Sequence, residues 1–401
     1  MTPKKKKILI IALAQSTHTH AWIDLISKEK FEVRLFGVKN TSPSIKISSF
    51  YYCLQENYPF INQKPSNNRL LKMLRKLLFV FDYFKGYRLE KKWLSRIIQN
   101  WQPDIIHTLG IDPAALHFMD VRSKFKLGPN YRWVVTIRGG SDIELERFSL
   151  TNKKIFKKIF QECDLVIADN KITYSYAFEL GLNKNKKPSL EFIPGTGGMD
   201  IEKLSSLRKQ KTSQSRIILW PKACEATYSR GLPVLEAVKI AWPKIVPCKF
   251  IMTACDQDFI KWLNTLDEEI RQNIQTYNRI PRADLLRIMA KSRVILLPSL
   301  IDGVPNSLYE AMACRTLPIV SPLKTIKTVV NQKNVLFARN LYPNEIANAL
   351  IKAMNNDQML EKIVENNLIL VEKIANRKKI AAEVNDFYWK LSEDKKIIKN
   401  K

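Results

Sequence analysis

The chain has no run of about 18 apolar residues, so no segment can cross a bilayer as a helix. Histidine occurs only at His18, His20, His107 and His117. The pair His18 and His20 has no matching set of Cys or carboxylate partners, so no metal site is implied. Six cysteines (Cys53, Cys163, Cys224, Cys248, Cys255 and Cys314) are dispersed, with no C-x-x-C pair. That excludes a disulfide framework and reads as buried thiols in a reducing, cytoplasmic compartment. No zinc-finger, RNP-like or helix-turn-helix signature is present, and the lysines are scattered, so nucleic acid is not the expected partner. Acidic residues are the other shortage: 38 Asp and Glu against 66 Lys and Arg leave a net charge of +28. An anionic partner accounts for this excess, either a nucleotide diphosphate or an anionic lipid surface, and a Lys-rich usage unrelated to any ligand is the alternative.

What the chain does have is 45% hydrophobic and 26% charged residues over 401 positions, enough for two globular domains with their own cores. Short apolar runs alternate with longer helical patterns, the signature of parallel α/β architecture. The runs in the first half are Ile8–Ala14, Phe31–Phe36, Asp104–His107, Trp133–Ile137, Asp164–Ala168 and Leu190–Ile193. The polar stretch Ser205 to Ser215 reads as an interdomain connection. A second series follows at Arg216–Trp220, Phe250–Thr253, Gln275–Tyr277, Arg293–Leu297 and Leu317–Val320. These runs predict two doubly wound parallel sheets, with domains over 1–204 and 216–375 and a helical tail over 376–401. Ligand crevices belong at the carboxyl ends of such strands, here facing each other across a cleft. Lys4 to Lys7 followed by Ile8 to Ala14 imitates a signal peptide, but an opening β-strand explains the same letters and the remaining pattern requires it.

The most informative stretch is Pro298 to Ala313. A buried strand ends at Leu297, an acidic turn carries Asp302, Asn306-Ser307 takes the position of a helix N-cap, and Glu310 lies about one turn inside. Such a helix start directs backbone N–H groups and a positive dipole end at the space above the strand, an arrangement that receives phosphate. The segment resembles the E-x7-E region of the retaining GT-B glycosyltransferases of family 4. Here it reads Asp302-x7-Glu310, with Gly303, Val304, Pro305, Asn306, Ser307 and Leu308 in the matching places and Asp replacing the commoner first Glu. The resemblance implies a GT-B fold of two Rossmann-like domains. It also implies a nucleotide-sugar donor, UDP- or GDP-linked, with Asp302 facing the sugar, Glu310 facing the ribose, and no metal or other cofactor.

Cleavage of a sugar–phosphate bond builds charge on the leaving diphosphate, so fixed cations are needed beside it. Lys222 and Arg230, after the strand ending at Trp220, resemble the family's cation pair with the residue types exchanged. Arg138 stands after the strand Trp133–Ile137, where many members carry a histidine near the reacting carbon. Either Arg138 or Asp142 lines the cleft, or the glycine-rich turn is held by Ser141 or Asp142 as a helix cap. His18 and Thr19 resemble a first-loop pattern on the acceptor side, Trp22 reads as core, and His107 is placed either to meet ligand or as a satisfied structural histidine. Pro194 to Asp200 reads as a turn.

Arg69 to Phe84 forms a basic amphipathic pattern: Leu71, Leu74, Leu78 and Phe81 on one stripe, Arg69, Lys72, Arg75 and Lys76 on another. It either lies in an anionic membrane interface, peripheral on the inner face of the membrane, or packs on the sheet. Phe387-Tyr388-Trp389 marks a C-terminal helix that, by the resemblance, crosses back onto the first domain. The function implied is transfer of a sugar from a nucleotide diphosphate to a glycan or lipid-linked acceptor with retention. A GT-B epimerase or phosphorylase, or a non-catalytic membrane-associated nucleotide binder, is the alternative.

Overall fold

A computed structural model describes residues 4–62, 69–128, 130–140, 142–183, 190 and 192–393. Contacts divide the chain into two units, 1–197 with 378–401, and 198–377. The first holds a parallel sheet of β1 (Lys6–Ala12), β2 (Phe31–Gly37), β3 (Phe50–Tyr52), β4 (Ile105–Leu109), β5 (Arg132–Ile137) and β6 (Leu165–Ala168). Their order is β3-β2-β1-β4-β5-β6. The second holds β7 (Ile217–Trp220), β8 (Lys249–Thr253), β9 (Ile274–Tyr277), β10 (Val294–Leu297), β11 (Leu317–Val320) and β12 (Leu336–Phe337). Its order is β12-β11-β10-β7-β8-β9. Each unit therefore repeats the same doubly wound plan, reversing direction beside its own first strand, between β1 and β4 and between β7 and β10.

The central strands are continuous aliphatic runs because helices cover both faces of a parallel sheet. Ile8 to Ala12, Ile105, Ile106, Val294 and Ile295 are fully buried. Two expected features are corrected. The segment at 190–193 forms no strand at Leu190, Phe192 or Ile193, although the Ile193 N–H reaches the Ala168 carbonyl at 3.2 Å. The polar stretch 205–215 is not a free connection but part of the second unit. Thr212 Oγ1 donates to the Arg315 carbonyl at 2.7 Å, and the Ser213 N–H to Glu361 at 2.7 Å. Its polar side chains serve backbone groups of neighbouring loops, which a composition argument reads as solvation. The chain instead passes from the first unit to the second at the glycine turn. Gly197 has φ +70°, and a Cβ there would stand 2.1 Å from Leu25 Cδ1, so only glycine fits.

The C-terminal helix Arg377–Glu393 packs on the first sheet. Tyr388, fully buried, accepts from Trp22 Nε1 at 2.9 Å and bonds His107 Nδ1 at 2.5 Å. His107 thus departs from a ligand-facing role. β4 runs on to Leu109, so the residue sits mid-strand, and its Nε2 is taken by Thr136 Oγ1 at 2.6 Å. Burial, aided by the Arg138 charge, pushes its pKa down to about 3. The unfolded chain then binds a proton near pH 6.5 that the folded chain refuses, so this stability is present above 6.5 and is lost as pH falls toward 3. A His107→Asn variant should show a shallower acid dependence of unfolding between pH 6.5 and 4, by up to about 1.4 kcal/mol per pH unit. Denaturant melts at several pH values read this slope, and parallel curves would mean the imidazole titrates freely.

Candidate active site

In the second unit the reversal point lies between β7 and β10, and their carboxyl ends form a small crevice lined by Trp220, Lys222, Ser229, Asp302, Pro305 and Ser307 among others. Lys222 lies two residues beyond the end of β7, and its Nζ stands 3.9 Å from Asp302 Oδ2. Burial holds the Asp302 carboxyl above its usual range, opposed by the Lys222 charge and the Gly303 N–H. The loop is fixed from behind. Thr325 Oγ1 donates to the Asp302 carbonyl at 2.7 Å, and the Leu300 N–H to the Tyr228 carbonyl at 2.8 Å. Asn340, 2% exposed, binds both flanking loops: its Oδ1 takes the Arg230 N–H at 3.0 Å, while Nδ2 serves the Arg230 and Pro298 carbonyls.

The helix after β10 spans Asn306–Ala313, and Pro305, not Asn306, takes the N-cap position. Proline's fixed φ suits a helix start but brings no capping side chain of its own. Ser307 Oγ, buried and without a partner, lines the crevice here. The helix Leu232–Ile245 contrasts with it, since Glu225 Oε1 accepts from the Gly231 and Leu232 N–H groups at 2.8 and 2.9 Å. A carboxylate of the chain thus already holds that helix start.

Among the expected donor residues, Val304 and Leu308 are buried core side chains, so they shape the turn without facing ligand. Glu310, 7% exposed, has Oε1 gripped by Arg282 through Nη2 and, at 3.2 Å, Nε. The sequence reading missed Arg282, whose only signal was its position opening the helix Arg282–Lys291 beyond β9. Arg230 is exposed, with Nη1 folded back on the Ala226 carbonyl, and it does not line the crevice. Lys222 is the cation that the structure puts beside Asp302.

In the first unit, Thr19 and His20 turn inward after β1. Thr19 Oγ1 donates to the Leu13 carbonyl at 2.9 Å, and His20 Nε2 bonds the Ala14 carbonyl at 2.7 Å. Thr19 is therefore corrected from an acceptor contact to a loop anchor, while His18 is half-buried beside it. Asp142 is likewise occupied, taking the N–H groups of Ile111 at 2.8 Å, Arg138 at 2.9 Å and, more weakly, Asp112 at 3.4 Å. It fastens the loops after β4 and β5, and Ser141 lies outside the described residues. Arg138 differs, because its Nε and Nη2 are buried without a hydrogen-bond partner.

The helix Arg69–Phe84 is inverted relative to an ordinary surface helix. Its buried residues are Arg75 and Asp82. Arg75 Nε donates to the Tyr58 carbonyl at 2.8 Å, so it does not belong to a solvated basic stripe as expected. Asp82 caps the next helix through the Leu89 and Glu90 N–H groups. Leu70, Met73, Leu74, Leu77, Val80, Phe81 and Phe84 face outward at helical spacing, from 48% to 80% exposed.

Residues 234–368 match the family model described as glycosyl transferases group 1. An uncharacterized glycosyltransferase of Methanocaldococcus jannaschii is 22% identical over 60% of this chain, a match spanning 62% of that relative. Among solved structures, sucrose-phosphate synthase from Thermosynechococcus elongatus aligns at TM-score 0.66 and 16% identity, covering 96% of this chain and 99% of its own. Anabaena HepE in complex with UDP-glucose aligns at TM-score 0.67 and 14% identity, with 96% and 99% covered. At such identities the structural likeness establishes the fold, which is GT-B, and the family match over the second unit supports a glycosyltransferase.

Proposed function

We propose that the chain transfers a sugar from a nucleotide diphosphate to a glycan or lipid-linked acceptor, with retention as the family 4 resemblance implies. The observation that carries the reading is the Lys222–Asp302 pair in one crevice with the unpartnered Ser307 Oγ at the Pro305-led start of the helix Asn306–Ala313, with Glu310 one turn further in. The diphosphate takes the helix N-terminus and Ser307. Lys222 offsets the charge that grows as the sugar–phosphate bond breaks, Asp302 meets the sugar, and Glu310 accepts from a ribose hydroxyl. The UDP-glucose held by Anabaena HepE supports this donor class. An epimerase on the same fold differs in turning over the donor without a saccharide acceptor, and a phosphorylase in requiring inorganic phosphate.

Changing Glu310 to Ala removes a charge-assisted hydrogen bond worth about 1.5–3 kcal/mol, so nucleotide affinity should fall roughly ten-fold or more. Isothermal titration with UDP, GDP and ADP measures it, and unaltered affinity in the variant would end the ribose assignment.

The outward apolar stripe of the helix Arg69–Phe84 fits a membrane interface, where the acceptor would be lipid-linked. Exposed Arg69, Lys72 and Lys76 on the same helix fit an anionic leaflet.

A further inference from the structure

We propose that Arg282 is a positioning residue for the ribose. This rests on the donor-site reading above. Glu310 is nearly enclosed, and Arg282 holds one carboxylate oxygen, Oε1, through two of its nitrogens. Two guanidinium donors on one oxygen hold that oxygen in place and leave Oε2 as the acceptor. A vicinal diol recognised by that single oxygen is sensitive to loss of one hydroxyl, because one of its two charge-assisted hydrogen bonds is then lost. The Arg282 side chain is itself 56% exposed, so it can be replaced without opening the core. Arg282 therefore sets how strongly the site prefers a ribonucleotide over its deoxy counterpart, not how tightly it grips diphosphate.

The test is titration of the full chain with matched ribo and 2′-deoxyribo diphosphates of uridine, guanosine and adenosine, on wild type, Arg282→Met, Arg282→Lys and Glu310→Ala. Wild type should prefer the ribo form of its base about ten-fold, and Arg282→Met should reduce this to about two-fold with deoxy affinity unchanged. Arg282→Lys keeps a charge but loses the fork, so its ratio should fall between. If Arg282→Met weakens ribo and deoxyribo forms equally, or keeps the wild-type ratio, while Glu310→Ala loses the preference, Arg282 has no positioning role. If wild type shows no preference, or binds none of the bases, the ribose reading of Glu310 itself fails and this inference falls with it.

Discussion

Replacing Lys222 by Met should lower turnover by about 10²–10³-fold while donor affinity stays within a few-fold, because its contribution is made to charge that exists only as the bond breaks. Its position supports this. It is the first side chain beyond β7 able to reach the crevice, and Asp302 at 3.9 Å orients the ammonium without fully neutralising it. The half-exposed pair is screened in the resting protein, so breaking it should change folding stability little. A bound diphosphate and sugar would displace water and strengthen the same charge. Arg230→Met should show a smaller effect, since its guanidinium already satisfies the Ala226 carbonyl. Steady-state kinetics of the two variants separate the cases. Equal losses in turnover and affinity for Lys222→Met would mean uniform binding, and no loss would return the residue to the solvated surface.

Anionic vesicles should bind the protein through the helix Arg69–Phe84, and binding should weaken as salt shortens the Debye length to about 8 Å and below. Exchanging Arg69, Lys72 and Lys76 for Gln removes about 1 kcal/mol each near an anionic surface, so the preference for anionic over neutral vesicles should fall roughly 100-fold at low salt. Arg75 is left intact because it anchors the helix to the Glu56 and Tyr58 carbonyls. Changing Leu74, Leu77 and Phe81 to Ser should abolish partition onto both kinds of vesicle, since these side chains supply the burial. Cosedimentation across a salt series reads both variants. Full binding by the serine variant, or indifference of wild type to anionic lipid, would assign the face to something other than a bilayer.

The central strands were legible because a parallel strand covered on both faces is largely apolar, as in Ile8–Ala12 of β1 and in β10. The edge strands β3 and β12 were not. Phe50–Tyr52 is only three aromatics, the last fully buried, and Leu336–Phe337 only two residues, too short for any periodicity. At the site, Asp302 and Glu310 could be placed because strand, turn and helix lie consecutively in the chain. Arg282 and Asn340 could not, because they meet the site from 28 residues before Glu310 and 110 after Arg230. The same limit misled the reading of Thr19 and left His107 open between a ligand contact and a structural histidine. A residue near a strand's carboxyl end faces ligand only if nothing else covers it, and Tyr388 reaches His107 from 281 residues away. In the helix Arg69–Phe84 the amphipathic period was visible, but which face turns inward depends on Arg75 finding the Glu56 and Tyr58 carbonyls, a tertiary fact.

The central claim, a nucleotide-sugar donor site at the carboxyl ends of β7 and β10, is tested most directly by release of nucleoside diphosphate from UDP-, GDP- and ADP-linked hexoses. The account predicts saturable release from one of these donors by wild type, slowed at unchanged donor affinity in Lys222→Met and weakened in affinity by Glu310→Ala. No release from any donor with or without added acceptor, or release that neither substitution alters, would contradict it.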